Sequence, residues 1–152
     1  MAERSADALR AIGIEPDGHR ARDVSDVLAL ADVSLVLTLE RTHRAAVLDL
    51  APVLLHRTFT LVEFARIAEA APTVALHREG AGRPEVPERA GRGLAELVRA
   101  VRTARLPAAA PSSDDVLDPV LGDDADHEHF RDRVAGPIDT VAALVVAATR
   151  TA

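Results

Sequence analysis

The segment "VSLVLTLERTHRAAVLDLAPVLLHRTFTLVEFARIAEA" (Val33–Ala70) changes its hydrophobic period three times. Val33 to Leu39 is a run of apolar and β-branched residues with the length and continuity of a buried parallel strand. Alternation puts Val33, Leu35, Leu37 and Leu39 on one face, and Ser34, Val36 and Thr38 on the other. From Glu40 the pattern is helical, with Ala45, Leu48 and Ala51 on one side. Pro52 stops the helix, because proline lacks the N–H that the next turn needs. Thr58, Phe59 and Thr60 read as a second strand. Phe64, Ile67 and Ala68 then recur at helical spacing. Strand, helix, strand, helix is the order of an α/β unit with parallel strands.

Outward from that unit the chain is mostly helical. Upstream, Ala6, Leu9, Ala11 and Ile12 fall near helical spacing, and Gly13 ends that helix. Pro16 and Asp17-Gly18 mark a loop. Ser25 is the predicted N-cap of a short helix, "DVLALAD". Downstream, "HREGAGRPEVPERAGRG" (His77–Gly93) reads as a mobile loop. "LAELVRAVRTARL" is an amphipathic helix carrying Leu94, Leu97, Val98 and Val101, and "PAAAPSS" reads as an extended linker. A last helical element is predicted from about Asp126 to Thr149, with Phe130, Val134, Ile138, Val141 and Val145 as its apolar stripe. Gly136-Pro137 lies in its middle, where proline costs about 3 kcal/mol, so a kink or break is expected. Two strands make a thin sheet for this many helices.

Composition narrows the function. The chain has 152 residues, of which 48% are hydrophobic, which suits one domain with a real core. It has three Phe and neither Trp nor Tyr, which argues against a base-stacking nucleic-acid binder. All 18 basic residues are Arg, and the net charge of −6 implies no polyanion partner. There is no cysteine, so disulfides and thiolate zinc sites are excluded. No apolar run is long enough for a membrane span, and the N-terminus is charged from Glu3 with no signal-peptide core. The expected location is a bacterial cytoplasm.

Few residues suggest chemistry. Asp118-Pro119, in "SDDVLDPVLG", places an acid in a polar loop, although Asp and Pro also favour turns for their own reasons. In "DDADHEHF", Asp123, Asp124, Asp126, His127, Glu128 and His129 supply metal-ligand types. The two His are two apart and diverge on a helix, so a solvated acidic loop with Asp126 as the helix cap is the expectation, and no metal or cofactor is implied. Arg83, Arg89 and Arg92 lie in a Gly-rich stretch without the strand–loop–helix context of a phosphate loop. No Gly-x-Ser-x-Gly elbow is present.

The order of these pieces resembles the low-molecular-weight protein tyrosine phosphatase family. The matching features are a helix leading to the His19-Arg20-Ala21-Arg22 turn, and a strand ending near Thr38-Leu39. A helix starting around Glu40–Arg44, the late Asp118-Pro119 loop, and a C-terminal helix beginning near Phe130 complete the match. The resemblance covers Met1–Ile67 and Asp114 to the end, with a divergent insert at about 72–113, and takes 1–152 as a single domain. It implies an incomplete phosphotyrosine phosphatase I-like three-layer fold, a short parallel sheet flanked by helices.

The resemblance also assigns roles. In that family a thiolate in a Cys-x5-Arg-Ser/Thr loop attacks phosphorus, and an Asp protonates the leaving oxygen. Only the acid maps, onto Asp118, as a vestigial general acid. The aromatic that often follows Asp-Pro in the family is replaced by Val120 and Leu121. The expectation is therefore a phosphatase-like protein that is inactive as this chain. The alternative is the downstream part of an active phosphotyrosine phosphatase whose start was called too late. Met1 falls near the Met of a segment that often precedes the first matching helix. A third reading is an unrelated α/β interaction module. The family's first strand pairs with the one matching Val33–Leu39. Its absence implies an exposed sheet edge, open to self-association or a protein partner.

Overall fold

The strand–helix–strand–helix unit is present in the computed structural model, which describes residues 3–10, 13–16, 18, 20–26, 32–70, 87–105, 111–119 and 122–150. After α1 (Glu3–Arg10) come β1 (Val36–Thr38), α2 (Arg41–Leu50), β2 (Thr58–Thr60) and α3 (Leu61–Ala70). α4 (Pro87–Thr103) and α5 (Asp124–Arg150) complete the fold, with 3-10 turns at Pro52–Leu54 and Pro111–Asp114. β1 and β2 pair in parallel, Val36 opposite Thr58, Leu37 opposite Phe59 and Thr38 opposite Thr60. The expected strand Val33–Leu39 contracts to three residues because β2 is itself that short: Leu61 already begins α3. The protein is thus mixed α/β, mainly helical, with a two-stranded sheet among the described residues.

The face assignment read from alternation holds. Leu35, Leu37 and Leu39 pack against a core of Phe59, Leu61, Phe64, Ile67, Leu97, Val101, Val134 and Leu144, among others. That core is where α3, α4 and α5 meet, and α2 packs instead on the two strands and the turn after it. β2 is buried throughout, at 1% exposure or less. β1 is only half-buried at Val36 and Leu37. On α2 the buried residue is Val47; Leu48 and Ala51 are half-buried and Ala45 is exposed, so the predicted stripe is shifted by part of a turn.

The ends of the helices follow local rules. Past α1, the Gly13 N–H bonds the Arg10 carbonyl and the Ile14 N–H bonds the Leu9 carbonyl. This Schellman pair places Gly13 at φ +78°, where a side chain would be strained. The helical turn that opens at residue 24 is capped by the Asp23 carboxylate, which accepts the Ser25 N–H and hydroxyl. Ser25 is therefore inside the helix and Asp23 is the cap, a correction by two positions. The rest of "DVLALAD" past Asp26, up to Ala31, lies outside the described residues. α4 starts at Pro87, so the second half of the expected loop His77–Gly93 is helical, with Pro in the first helical turn where its missing N–H is not needed.

α5 runs unbroken through Pro137 for 27 residues, so of the expected kink or break the break does not occur. Val134 lies before the proline and Val141, Leu144 and Ala148 after it, and all four are in the core. Packing of both halves on α3 and α4 outweighs one lost backbone bond. Ile138, predicted on the buried stripe, is 48% exposed, and Leu144 takes that role at 1%. Pro137→Ala is expected to raise stability by about 1–3 kcal/mol, because the Arg133 carbonyl regains its donor. Urea unfolding checks this, and an unchanged midpoint would mean that the helix has already adapted to the proline.

Candidate functional site

The segment from Ser113 to Pro119 is held residue by residue. The Ser113 carbonyl accepts from the Arg133 guanidinium of α5. Asp114, 6% exposed, pairs with Arg66 of α3 through Nε at 3.1 Å and a terminal nitrogen at 3.0 Å. Asp115 accepts the Arg41 backbone N–H at 2.8 Å and its guanidinium at 3.1 and 2.9 Å. The Val116 N–H bonds the Leu39 carbonyl at 2.9 Å, just past the end of β1, and its side chain enters the core. Four successive residues thus reach α5, α3, α2 and the residue that follows β1.

Asp115 also solves a capping problem. Glu40, the residue before α2, makes no side-chain cap bond. Asp115, from 74 positions away, satisfies the first free N–H of α2 instead. The hydrogen bonds from Arg41 hold the Asp115 carboxyl below its ordinary value of 3.8, against a smaller opposing effect of burial. A depressed acid contributes stability above its unfolded value and loses it as pH falls through the folded one. The stability difference between wild type and Asp115→Asn is therefore expected to be constant near neutrality and to shrink below about pH 4. Arg41 is half-exposed, so the effect is modest. A difference that grew on acidification would contradict this tether.

After Val116 the chain turns outward. Leu117 is 77% exposed, and Asp118 is exposed beside it. A groove of about 600 Å3 opens there, lined by Asp115, Val116, Leu117, Asp118 and Pro119 and, across from them, by Gly122, Asp126, His129, Phe130 and Arg133. The far wall is the start of α5. There Asp123 and Asp126 exchange bonds, each carboxylate accepting the other's N–H at 3.0 Å. The cap is thus Asp123, with Asp126 its reciprocal partner three residues on, and not Asp126 alone as expected. A Cβ on Gly122 would lie 2.6 Å from Asp126. Gly122→Ala is expected to cost about 1–2 kcal/mol by displacing that cap, measurable as a lower thermal midpoint, and a neutral effect would show that the Asp126 side chain can move aside.

Of the residues singled out from sequence, Asp118, Asp126 and His129 share the groove, and His127 does not line it. Among the described residues no three His, Cys, Asp or Glu are placed to hold a metal ion. Arg89 and Arg92 belong to α4 and to no phosphate-binding loop, while Arg83 and His19 lie outside the described residues. Arg20 and Arg22 are exposed.

Sequence reasoning missed a second polar cluster. Glu63 accepts the Thr60 N–H at 3.4 Å while the Thr60 hydroxyl accepts the Glu63 N–H at 3.2 Å. The Thr-Leu-Val-Glu spacing at the strand-to-helix change was the available signal for this capping box. Glu63 also takes a bidentate pair from Arg105, at 2.8 and 2.9 Å. Arg44 lies nearby with its Nε buried and without a hydrogen-bond partner. Burial and the Arg105 charge weaken the hold of Arg44 on its proton, and Glu63 offsets them in part.

The fold and site define a small mixed α/β protein with a tethered acidic loop at the carboxyl end of a parallel strand. No protein-family model, curated protein or solved structure matches the chain.

Proposed function

We propose that this chain is a low-molecular-weight protein tyrosine phosphatase-like domain that carries the acid loop of that mechanism without its nucleophile, and that it works by binding. The observation that carries this reading is the Val116–Leu39 backbone bond. It sets the Asp118 loop at the carboxyl end of β1, the edge where open α/β sheets hold their ligands. The order β1, α2, β2, α3, acid loop, long helix supports the family resemblance, with α4 added between α3 and the acid loop, where the resemblance allows a divergent insert.

An acid beside a leaving oxygen accelerates displacement only when a nucleophile attacks phosphorus. The chain has no cysteine, so it cannot form the thiophosphate intermediate. The pure 152-residue chain is expected to show no turnover of p-nitrophenyl phosphate above buffer. Turnover that Asp118→Asn abolishes would overturn the proposal, and turnover indifferent to that change would locate the activity elsewhere.

Binding through the sheet edge is part of the same proposal. The Val36 N–H faces β2, donating to the Arg57 carbonyl at 2.9 Å, so alternation turns the N–H and C=O of Leu37 the other way. Among the described residues no strand pairs with that edge. Val33 to Leu39 has neither charge nor proline to guard it. Light scattering is expected to show self-association that Val36→Lys reduces. A monodisperse wild-type monomer would refute this use of the edge. Among the described residues, no helix is long and apolar enough to cross a membrane.

A further inference from the structure

We infer that Arg44 and Arg105 receive the carboxylate of a small monocarboxylic acid at the carboxyl ends of β1 and β2. The inference goes beyond the proposed function and does not involve Asp118. Its support is the pairing of charge at this end of the sheet. Arg41 takes Asp115, Arg66 takes Asp114 and Arg105 takes Glu63. Arg44 takes none of them. Among the described residues it forms no ion pair, and its Nε is buried without a hydrogen-bond partner. The chain has 24 acidic residues against 18 basic ones, so carboxylates are not scarce. Even Glu40, one turn before Arg44, is turned elsewhere: its carboxylate accepts from Thr42 at 3.2 Å and faces His43 at 3.8 Å.

The position of Arg44 sharpens its need for an anion. It lies in the first turn of α2, which carries no acidic residue. A cation there opposes the helix dipole, and an anion is favoured. Glu63 lies in the first turn of α3, so both groups follow directly on strands, at the edge where open α/β sheets hold ligands. Two guanidiniums against one carboxylate leave one positive charge, and burial makes an unpaired charge costly. Burial first, and then the Arg105 charge, weaken the hold of Arg44 on its proton, which a bound anion reverses. Glu63 occupies Nε and one terminal nitrogen of Arg105, which leaves the other to share the ligand. A carboxylate matches the single excess charge, and its two coplanar oxygens match a guanidinium fork. A phosphate group carries about 1.5–2 negative charges near neutrality, and the surplus would face Glu63. Arg44 is half-buried, so the acid that reaches it is small.

Side-chain and amide NMR of the full chain in sodium acetate, against sodium chloride and sodium phosphate at equal ionic strength, tests this. Arg44→Met identifies the Arg44 Nε–H signal by its loss. Acetate is expected to move that signal saturably and, at saturation, to raise the thermal midpoint by about 2–4 °C over chloride. Backbone amides at 40–45 and 60–64 should report binding about tenfold weaker in Arg44→Met. Arg44→Lys, which keeps the charge without the fork, should lie between the two. No response to acetate, an equal response to chloride, tighter binding of phosphate, or unaltered acetate binding in both Arg44 variants would each overturn the inference. So would Glu40→Gln moving the Arg44 signal without ligand as far as acetate does, because Glu40 would then be its partner. Turnover of p-nitrophenyl phosphate is read separately, and its appearance would refute the proposed function without touching the acetate titration.

Discussion

Phe59→Ala is expected to lower the free energy of unfolding by about 3–5 kcal/mol, the range for removing a buried aromatic ring. Phe59 is fully buried in the middle of β2. Its ring meets Phe64 edge-on, with centroids 5.3 Å apart and planes at 81°, a geometry that adds to area burial. The Arg105 guanidinium lies 4.8 Å from the ring centre, so truncation also strips a cation of its aromatic cover. Collapse into the void is restricted, because β2 is bonded to β1 and continues directly into α3. A typical domain has only about 5–15 kcal/mol in total, so much of the population should unfold. Phe59→Leu keeps most of the volume and should lose about 1–2 kcal/mol. Urea denaturation of both variants decides: an alanine variant within about 1 kcal/mol of wild type would mean that Phe59 does not organise the core.

The second large effect is expected from Glu63→Gln. Glutamine keeps an oxygen to accept the Thr60 N–H, so the capping box survives and only the charge is lost. Arg105 then keeps a partly buried guanidinium without its carboxylate, beside Arg44, whose Nε is already buried without a partner. Breaking a buried pair from one side costs about 3–5 kcal/mol, and the quarter exposure of Arg105 lowers the expectation to about 2–4. Glu63→Ala should lose about 1 kcal/mol more by removing the cap as well. Arg44→Met relieves the repulsion, so Glu63→Gln should be milder in that background. A double-mutant cycle with no coupling between positions 44 and 63 would show that the three groups do not act together.

The two strands, their parallel direction and α2 and α3 were all readable in Val33–Ala70, because period 2 and period 3.6 are properties of neighbours along the chain. The same is true of the Gly13 stop. Misplaced features have a common origin. Ser25 and Asp23 are both good caps, and the choice depends on which N–H groups the chain presents. Pro137 is a strong local breaker, yet Val134, Val141 and Leu144 all find partners on α3 and α4. Tertiary packing decided there against propensity. Composition points to a loop over His77–Gly93, whereas helix α4 reaches back to Pro87.

The candidate site divides along the same line. Asp118-Pro119 is legible as an acid in a loop from the stretch Ser113–Gly122 alone. That its loop is anchored through Asp115 to Arg41, through Asp114 to Arg66 and through Val116 to Leu39 is not, since these partners are 48 to 77 positions apart and no sequence period links them. The sequence by itself determined the α/β class, the faces of β1, the absence of a thiol nucleophile and the acidic stretch at Asp123–Glu128. The tertiary structure alone decided that Asp114 and Asp115 fasten the loop to Arg66 and Arg41, and that Asp123 and Asp126 close the start of α5. The reason is physical: periodicity and composition act through neighbours in the chain, whereas a carboxylate's role depends on whichever guanidinium, N–H or water the fold brings within about 3 Å of it.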